Sequence, residues 1–571
     1  MRALWVTVPL VLAAAGPAVA EAPRVLSAAD VGRYRQIFGL QRKADFRTAD
    51  RVIAKLDDPL LLGHVRFQRF MHPAAYRSRF AELRDWLAAY ADLPGADRIY
   101  DLAMRRRPAS AAAPPKPRGA ASPNGFSIDD AEMMPHPASP AAVAWRAELE
   151  GLLVRGRLRE AAKAFDSRKS KQLLDQVDRD RLAGTMAGVR LRRGDVEAAL
   201  KLAAPAADRS GGQAPNAQWI AGLARWQLGE PAKALARWQA LSRAEAANPP
   251  LRAAGAFWSA RALLRLQRPE AVLDALRRAA GYPRQLYGVV AQAQLGLRPD
   301  LNLAPIPGGD AGEQSWADTL LRQAGARRAV ALAEIGETRL ADLELRHLYF
   351  SDHRHLAGPL LALAHALDLP GTQLRIAEAV RAAGGMPPDL ALYPVPPWRP
   401  VGGFRVDRAL LLAIARHESG FEPRAQNPSG ASGLLQLMPR TADFANGGSL
   451  AGQRYRLLEP AFNLELGQRY IEHLLDLPAV DGDLVRLIAA YNAGPGNTAR
   501  WLRQVAHGDD PLLFMELIPT RQTRRYVRRV LADVLLYRVR LGQELPGLHD
   551  IAQGAWPRYL SLDGKEMSHA R

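Results

Sequence analysis

Apolar residues in the middle of this chain recur at helical spacing in short, paired runs, and that pattern restricts the fold more than any other feature. From Ala141 to about residue 390 each run is amphipathic and brief, and a helix of that kind cannot bury its apolar face by itself. Pairs of this sort bury their faces by stacking on their neighbours, which predicts a curved helical solenoid. Strand-like alternation is scarce and aromatic residues make up 7% of the chain. The fold class expected is therefore mainly all-α.

Composition shifts divide the 571 residues into segments. Residues 1–20 read as a signal peptide: Met1-Arg2 is a short basic start, Leu4 to Ala15 an apolar core, and Ala18-Val19-Ala20 a cleavage site. The apolar stretch falls short of the roughly 20 residues a spanning helix needs, and a retained anchor is the other reading. Residues 24–107 form an N-terminal helical segment with patterns such as DFRTADRVIAKL. Residues 108–140, with Pro108, Pro114, Pro115, Pro117 and Pro123 among much Ala and Ser, read as a partly extended, poorly ordered linker. Within the 141–390 superhelical domain, Trp219, Gly222, Leu223, Ala224, Trp226, Leu228, Gly229, Ala234 and Trp238 resemble a degenerate tetratricopeptide-type unit, and FWSARA from Phe257 opens the next pair. Prolines and glycines at 390–403 mark a hinge into a domain at 400–545, and 546–571 is a C-terminal tail.

The chain has no cysteine, so neither a lipoprotein anchor nor a disulfide can form. Its formal charge of +19 suits an anionic polymer, although a solvated arginine-rich surface explains it equally. An exported basic protein is poorly placed to meet nucleic acid. His353-Arg354-His355 lacks further ligands at a zinc-like spacing.

One carboxylate stands out. A helix reads from Asp407, a good N-cap, through Leu410, Leu411, Ile414 and Ala415, and stops at Gly420. Four and seven positions before Glu418 lie Ile414 and Leu411, so the acid continues the buried stripe. Lost hydration of its charged form should raise its pKa and suit it to general acid work. Periodicity alone also admits pairing with Arg416 or Arg424. The adjacent His417 points about 100° away on the helix and is not expected to share the proton.

Downstream, Gly430, Ser432 and Gly433 allow a tight backbone path close to a bulky ligand. Gln436 offers a neutral donor and acceptor, and Met438 a soft apolar wall. A second helix starting at Asp483 buries Leu484, Leu487 and Ile488, with Tyr491 continuing the stripe before a Gly-Pro-Gly break. Its hydroxyl can reach across a groove while its ring packs inward. Ordinary core positions for Tyr491 and Met438 are the alternative.

His417-Glu418-Ser419, GLLQLMP (433–439), EPAFN (459–463), GQRYI (467–471), AYNAGPG (490–496) and IPTRQTRRYV (518–527) stand in order within about 115 residues. Together they resemble the soluble lytic murein transglycosylases, a lysozyme-like family that cleaves peptidoglycan. AGYPRQLYG (280–288) is similar to a segment of that family's superhelical domain. The resemblance implies an α-superhelical solenoid followed by a lysozyme-like catalytic domain, and an exported, periplasmic peptidoglycan lytic exotransglycosylase, a carbon–oxygen lyase. It implies Glu418 as the catalytic acid and then base, and Asn427, Ser432, Gln436, Met438, Tyr491, Asn492 and Gln522 as substrate-groove residues, with Asn492 supporting the turn. It implies no metal and no organic cofactor. The partner implied is the peptidoglycan glycan strand, with cell-wall synthesis or secretion-complex proteins as further candidates, no nucleic acid and no membrane segment after processing.

Two positions depart from the family pattern. Leu435 stands where Met is usual, a volume-conserving swap. Gln522 stands where Glu is common, which removes a charge and keeps hydrogen-bonding capacity. In the reaction implied, Glu418 protonates the oxygen between N-acetylmuramic acid and N-acetylglucosamine and then takes the C6 hydroxyl proton, leaving a 1,6-anhydro end. The sequence also admits a hydrolase of the same glycan and an inactive wall-binding scaffold. Exo versus endo cutting is not legible in it.

Overall fold

A computed structural model describes residues 22–119, 133–304, 306, 313–351 and 353–563. The expected signal peptide and the central part of the Pro/Ala-rich linker lie outside these residues. Among the described residues there are helices, turns and four isolated β-bridges, and no β-strand. Chain contacts divide the protein into two compact units, one formed by Met1–Phe126 with Asn302–Pro397 and the other by Ser127–Leu301 with Trp398–Arg571. The boundary at Leu301–Asn302 falls inside the helical-pair stretch, so that stretch contributes to both.

In the first unit, Leu83, Trp86, Leu87 and Ile99 form a buried core. The start of the described chain is held by the Glu334 carboxylate, which accepts hydrogen bonds from the backbone N–H groups of Val25 and Leu26 at 2.8 and 3.1 Å. Glu344 is buried and meets His64 Nε2 at 2.6 Å and Arg328 Nε at 2.8 Å. Burial alone would raise its pKa, but these two partners outweigh it and hold the carboxyl below its usual range. Residues 280 positions apart are thus joined in one buried network.

The second unit carries a tryptophan-centred stack and the acid-bearing region. Trp219, Trp238 and Trp258, from helices Pro215–Gln227, Pro231–Arg243 and Pro249–Arg265, are buried with ring centroids 5.3–6.0 Å apart. Gly222 makes the approach feasible: a Cβ there would sit 2.2 Å from Trp238 Nε1. The stack then braces the helices beyond it. The Tyr287 hydroxyl, on helix Leu286–Gln294, donates to the buried Glu516 carboxylate at 2.6 Å. Arg261 donates to Asp510 at 2.6 Å, and the other oxygen of Asp510 caps helix Pro511–Leu517.

Helix Arg408–Glu418 packs against helix Arg521–Arg540. Asp407 caps the former through the Ala409 N–H and accepts from Arg538 Nε at 2.8 Å, both side chains being fully buried. Arg538 also donates to the carbonyls of Pro546 and Leu560, and the Asp407 N–H donates to the Tyr559 hydroxyl at 2.9 Å. Residues 546–563 therefore lie against the start of the acid-bearing helix and include a short helix of their own, Leu548–Gln553.

Candidate active site

Helix Arg408–Glu418 buries Leu410, Leu411 and Ile414 and ends where the Ser419 N–H and Gly420, at φ +57°, turn the chain. Glu418 sits on its last turn, half-buried. Burial pushes its carboxyl up to about 7, and the Tyr526 hydroxyl opposes that rise in part. No charged group among the described residues contributes to the shift. Glu418 is a solitary carboxyl poised to hold or release a proton near neutrality.

Two tyrosines stand with it. Burial, reinforced by the Glu418 charge, raises both the Tyr491 and Tyr526 hydroxyls well above their ordinary pKa, so both are neutral O–H groups. Tyr491, near the end of helix Leu484–Ala493, donates to the Leu435 carbonyl at 2.8 Å. Its single proton is thereby committed to the glycine-rich loop. The ring packs against Tyr470 at 5.8 Å. The buried Tyr526 hydroxyl faces Glu418, where its hydrogen-bonding favours the ionised carboxylate, and among the described residues it has no closer hydrogen-bond partner. It is the donor left available at this carboxyl.

His417 faces away from the acid, as the 100° step requires. Its Nε2 lies 2.7 Å from Asp533 Oδ2, which also accepts from Arg416 at 2.9 Å. Burial alone would raise Asp533, but Arg416 and His417 outweigh it and keep the carboxyl below its ordinary range. The His417 ring meets Tyr526 edge-on, with centroids 6.2 Å apart, and so fixes the ring that reaches Glu418.

The loop from Ala425 to Met438 forms the opposite wall. Gly433 holds φ +82°, and a Cβ there would meet the Leu457 carbonyl at 2.1 Å. Fully buried Asn463 pins this turn, donating to the carbonyls of Ser432 and Leu457 and accepting from the Leu435 N–H at 2.9 Å. Leu435 presses onto Gly467, where a Cβ would lie 2.0 Å from its Cδ1. The residue replacing Met is thus a packing residue in contact with the next helix.

Several positions differ from a simple groove reading. Gln436, at φ +46°, donates its amide to the carbonyls of Ala425 and Gly433 at 3.0 and 2.9 Å, so its side-chain oxygen, not its NH₂, is left for a ligand. Ser432 is buried and donates to the Gly430 carbonyl. Asn427 is exposed and accepts from the Ala431 N–H at 3.0 Å, closing the 427–431 turn. Asn492 accepts from the Thr523 hydroxyl at 2.8 Å, tying its helix to Arg521–Arg540. Met438 is 44% exposed, which removes it from the core. Gln522 is exposed on the first turn of Arg521–Arg540. Tyr526 and Asn463 belong to motifs already noted, but spacing gives neither a role. Their importance comes from contacts with residues far away in sequence.

Residues 402–514 match the family model of the transglycosylase SLT domain. That stretch is similar to a transglycosylase SLT domain. Over 152 residues it is 37% identical to the soluble lytic murein transglycosylase of Escherichia coli (strain K12), covering 26% of this chain and 23% of that one. A soluble lytic murein transglycosylase of Salmonella typhimurium is 36% identical over 152 residues, covering 25% and 22%. The matched part thus spans under a quarter of these relatives' length. Among solved structures, the fold is similar to the 70 kDa soluble lytic transglycosylase of Escherichia coli, with TM-score 0.55, 18% identity, and coverage of 93% of this chain and 100% of that one. It is also similar to a complex of the 70 kDa enzyme with bulgecin A, with TM-score 0.55, 18% identity, and coverage of 94% and 100%. The fold is the all-helical one of a superhelical stack with a lysozyme-like domain. No described helix is long and apolar enough to cross a membrane.

Outside the SLT domain, His136, Asp175 and Asp178 bring ligand atoms within 4.8 Å of one another. Arg146 already donates to Asp178 at 2.6 Å and supplies the cation there.

Proposed function

We propose that this protein is a peptidoglycan lytic transglycosylase, exported to the periplasm by residues 1–20, with Glu418 as its single catalytic carboxyl. The observation that carries the reading is a solitary acid pushed to about 7 by burial, between two neutral tyrosines, inside an SLT domain. Glycosidases that use water or a covalent intermediate place a second carboxylate across the bond. Among the described residues no second acid contributes to the Glu418 shift, which favours an internal nucleophile.

Protonated Glu418 gives its proton to the glycosidic oxygen between N-acetylmuramic acid and N-acetylglucosamine, and the C1–O bond breaks. The Tyr526 hydroxyl then supports the new carboxylate. The carboxylate takes the proton from the muramoyl C6 hydroxyl as O6 bonds to C1, so the acid is restored and no water is consumed. Tyr491 and Asn463 hold the loop that carries Gln436 and Met438, which line the sugar path with an acceptor and an apolar face. Gln522 stands at the exposed edge, where a neutral amide meets the substrate in place of a charge.

Mass spectrometry of products released from purified sacculi tests this. Anhydromuramoyl ends are expected. Reducing ends would make the enzyme a hydrolase, and no release would make it a scaffold.

A further inference from the structure

Among the described residues the Tyr526 hydroxyl has no closer hydrogen-bond partner than the Glu418 carboxyl. The place of its oxygen therefore depends on what fixes the ring. A small tilt at Cβ is enlarged at the far end of a phenol, and a hydrogen bond is lost over less than an ångström.

Tyr526 and Asp533 stand seven positions apart on helix Arg521–Arg540, on one face, and His417 of helix Arg408–Glu418 touches both. The imidazole lies edge-on to Tyr526, with centroids 6.2 Å apart and planes at 63°, within the range of a favourable aromatic pair. Its Nε2 lies 2.7 Å from Asp533 Oδ2. Burial lowers the His417 pKa and Asp533 opposes this only in part, so the ring is neutral. The carboxylate opposite then fixes its proton on Nε2. Arg416 donates to the same Asp533 oxygen at 2.9 Å. Burial alone would raise Asp533, but Arg416, His417 and Arg529 outweigh it and keep the acid ionised. A further titratable neighbour, Tyr537, is raised by burial and stays neutral.

We propose that Asp533 and His417 are positioning residues for the acid: Asp533 fixes the imidazole, and the imidazole sets the Tyr526 ring so that its hydroxyl reaches Glu418. His417 directly precedes Glu418 in the chain, so a ring registered against one is registered against the other. The use of Glu418 in catalysis rests on the function proposed above; the alignment of its tyrosine does not. Charge separates this role from a direct electrostatic one. Neither Asp533 nor Arg416 contributes to the rise at Glu418. Removing a nearby anion would lower the pKa of another acid, whereas misplacing a hydroxyl that favours the carboxylate raises it. The two explanations have opposite signs.

His417→Ala cuts the link to Tyr526 and leaves Asp533 paired with Arg416, so circular dichroism should show an unchanged fold. The Glu418 carboxyl is followed in the full chain by infrared titration from about pH 5 to 9, as the neutral C=O band that Glu418→Gln lacks. His417→Ala, Asp533→Asn and Tyr526→Phe should each raise its pKa by about 0.5 or more. Adding His417→Ala to Tyr526→Phe should change little further, because the path through the hydroxyl is already cut. On sacculi each single variant should lose roughly tenfold in rate, and the double variant about as much as Tyr526→Phe alone. A Glu418 pKa that stays put or falls in folded His417→Ala or Asp533→Asn protein would overturn the proposal, as would effects at 417 and 526 that add in full. Should Asp533→Asn not fold, His417→Ala carries the test. If sacculi release no anhydro ends, the reaction falls while the titration still decides the alignment; anhydro ends with an unmoved carboxyl remove the alignment alone.

Discussion

A carboxyl that is comfortable only when neutral is a liability the fold accepts at Glu418, and the liability is measurable. Its pKa moves from an ordinary 4.5 to about 7 on folding, so the native state holds a proton that the unfolded chain has lost. Stability from this group is therefore intact below about pH 4.5 and falls as pH rises toward 7. Glu418→Gln removes the burden: it should abolish anhydro-product formation and stabilise the fold by on the order of 1–2 kcal/mol above pH 7, with no gain near pH 4. Thermal melts of both proteins from pH 4 to 8 check this, and a melting difference that does not vary with pH would contradict it. Tyr526→Phe tests the opposing contribution. Because the hydroxyl favours the carboxylate, its loss should raise the Glu418 pKa further and carry the alkaline limb of kcat/KM to higher pH, while slowing turnover. An unmoved limb would leave Tyr526 a packing residue. Glu418 was legible because its stripe of Leu411 and Ile414 is local. Tyr526 was not, because it meets the acid from another helix and nothing in its own spacing says so. The acceptor of the Tyr491 proton was not legible for the same reason: the Leu435 carbonyl lies 56 positions away.

At the level of elements, the site is two helix ends and a loop, each fixed by a backbone demand. Asp407 and Asp483 as caps, and glycine at 420 and 494, were readable from residue chemistry, and the helices Arg408–Glu418 and Leu484–Ala493 lie where those signals place them. The glycine-rich loop was readable as a tight path, but its fastening by Asn463 was not. Gly433→Ala should fail on both counts, a strained φ and a Cβ 2.1 Å from a carbonyl, and destabilise by roughly 2–4 kcal/mol. Asn463→Ala leaves the Leu435 N–H without its acceptor and should cost about 1–3 kcal/mol. Activity should drop more than stability does, because Gln436 and Met438 ride on that turn. Urea melts beside initial rates on sacculi will show whether the two losses part in this way. Full activity in a folded Asn463→Ala protein would show that the loop holds itself.

The helical-pair pattern conveyed the solenoid at the scale of the whole molecule, yet not the point where one unit yields to the other. That partition depends on pairs such as His64 with Glu344, which no local window contains. In the second unit the stack is also structural support: Glu516 is fully buried and relies on Tyr287, and helix Leu286–Gln294 packs on Leu548–Gln553. A fragment of 398–571 alone should consequently melt roughly 5 °C or more below the span 127–571, since each kcal/mol is worth a few degrees at this size. Equal melting temperatures in calorimetry would show the stack to be dispensable for stability. The lock at the start of the acid-bearing helix has a consequence in time. Asp407 is tied by Tyr559, 152 positions later, and its partner Arg538 is tied by Leu560. A polypeptide that emerges from a ribosome or a translocation channel amino end first would present Glu418 long before the groups that secure its helix. The acid would thus be made early and seated late, since its helix is secured only after Tyr559 and Leu560 have followed it.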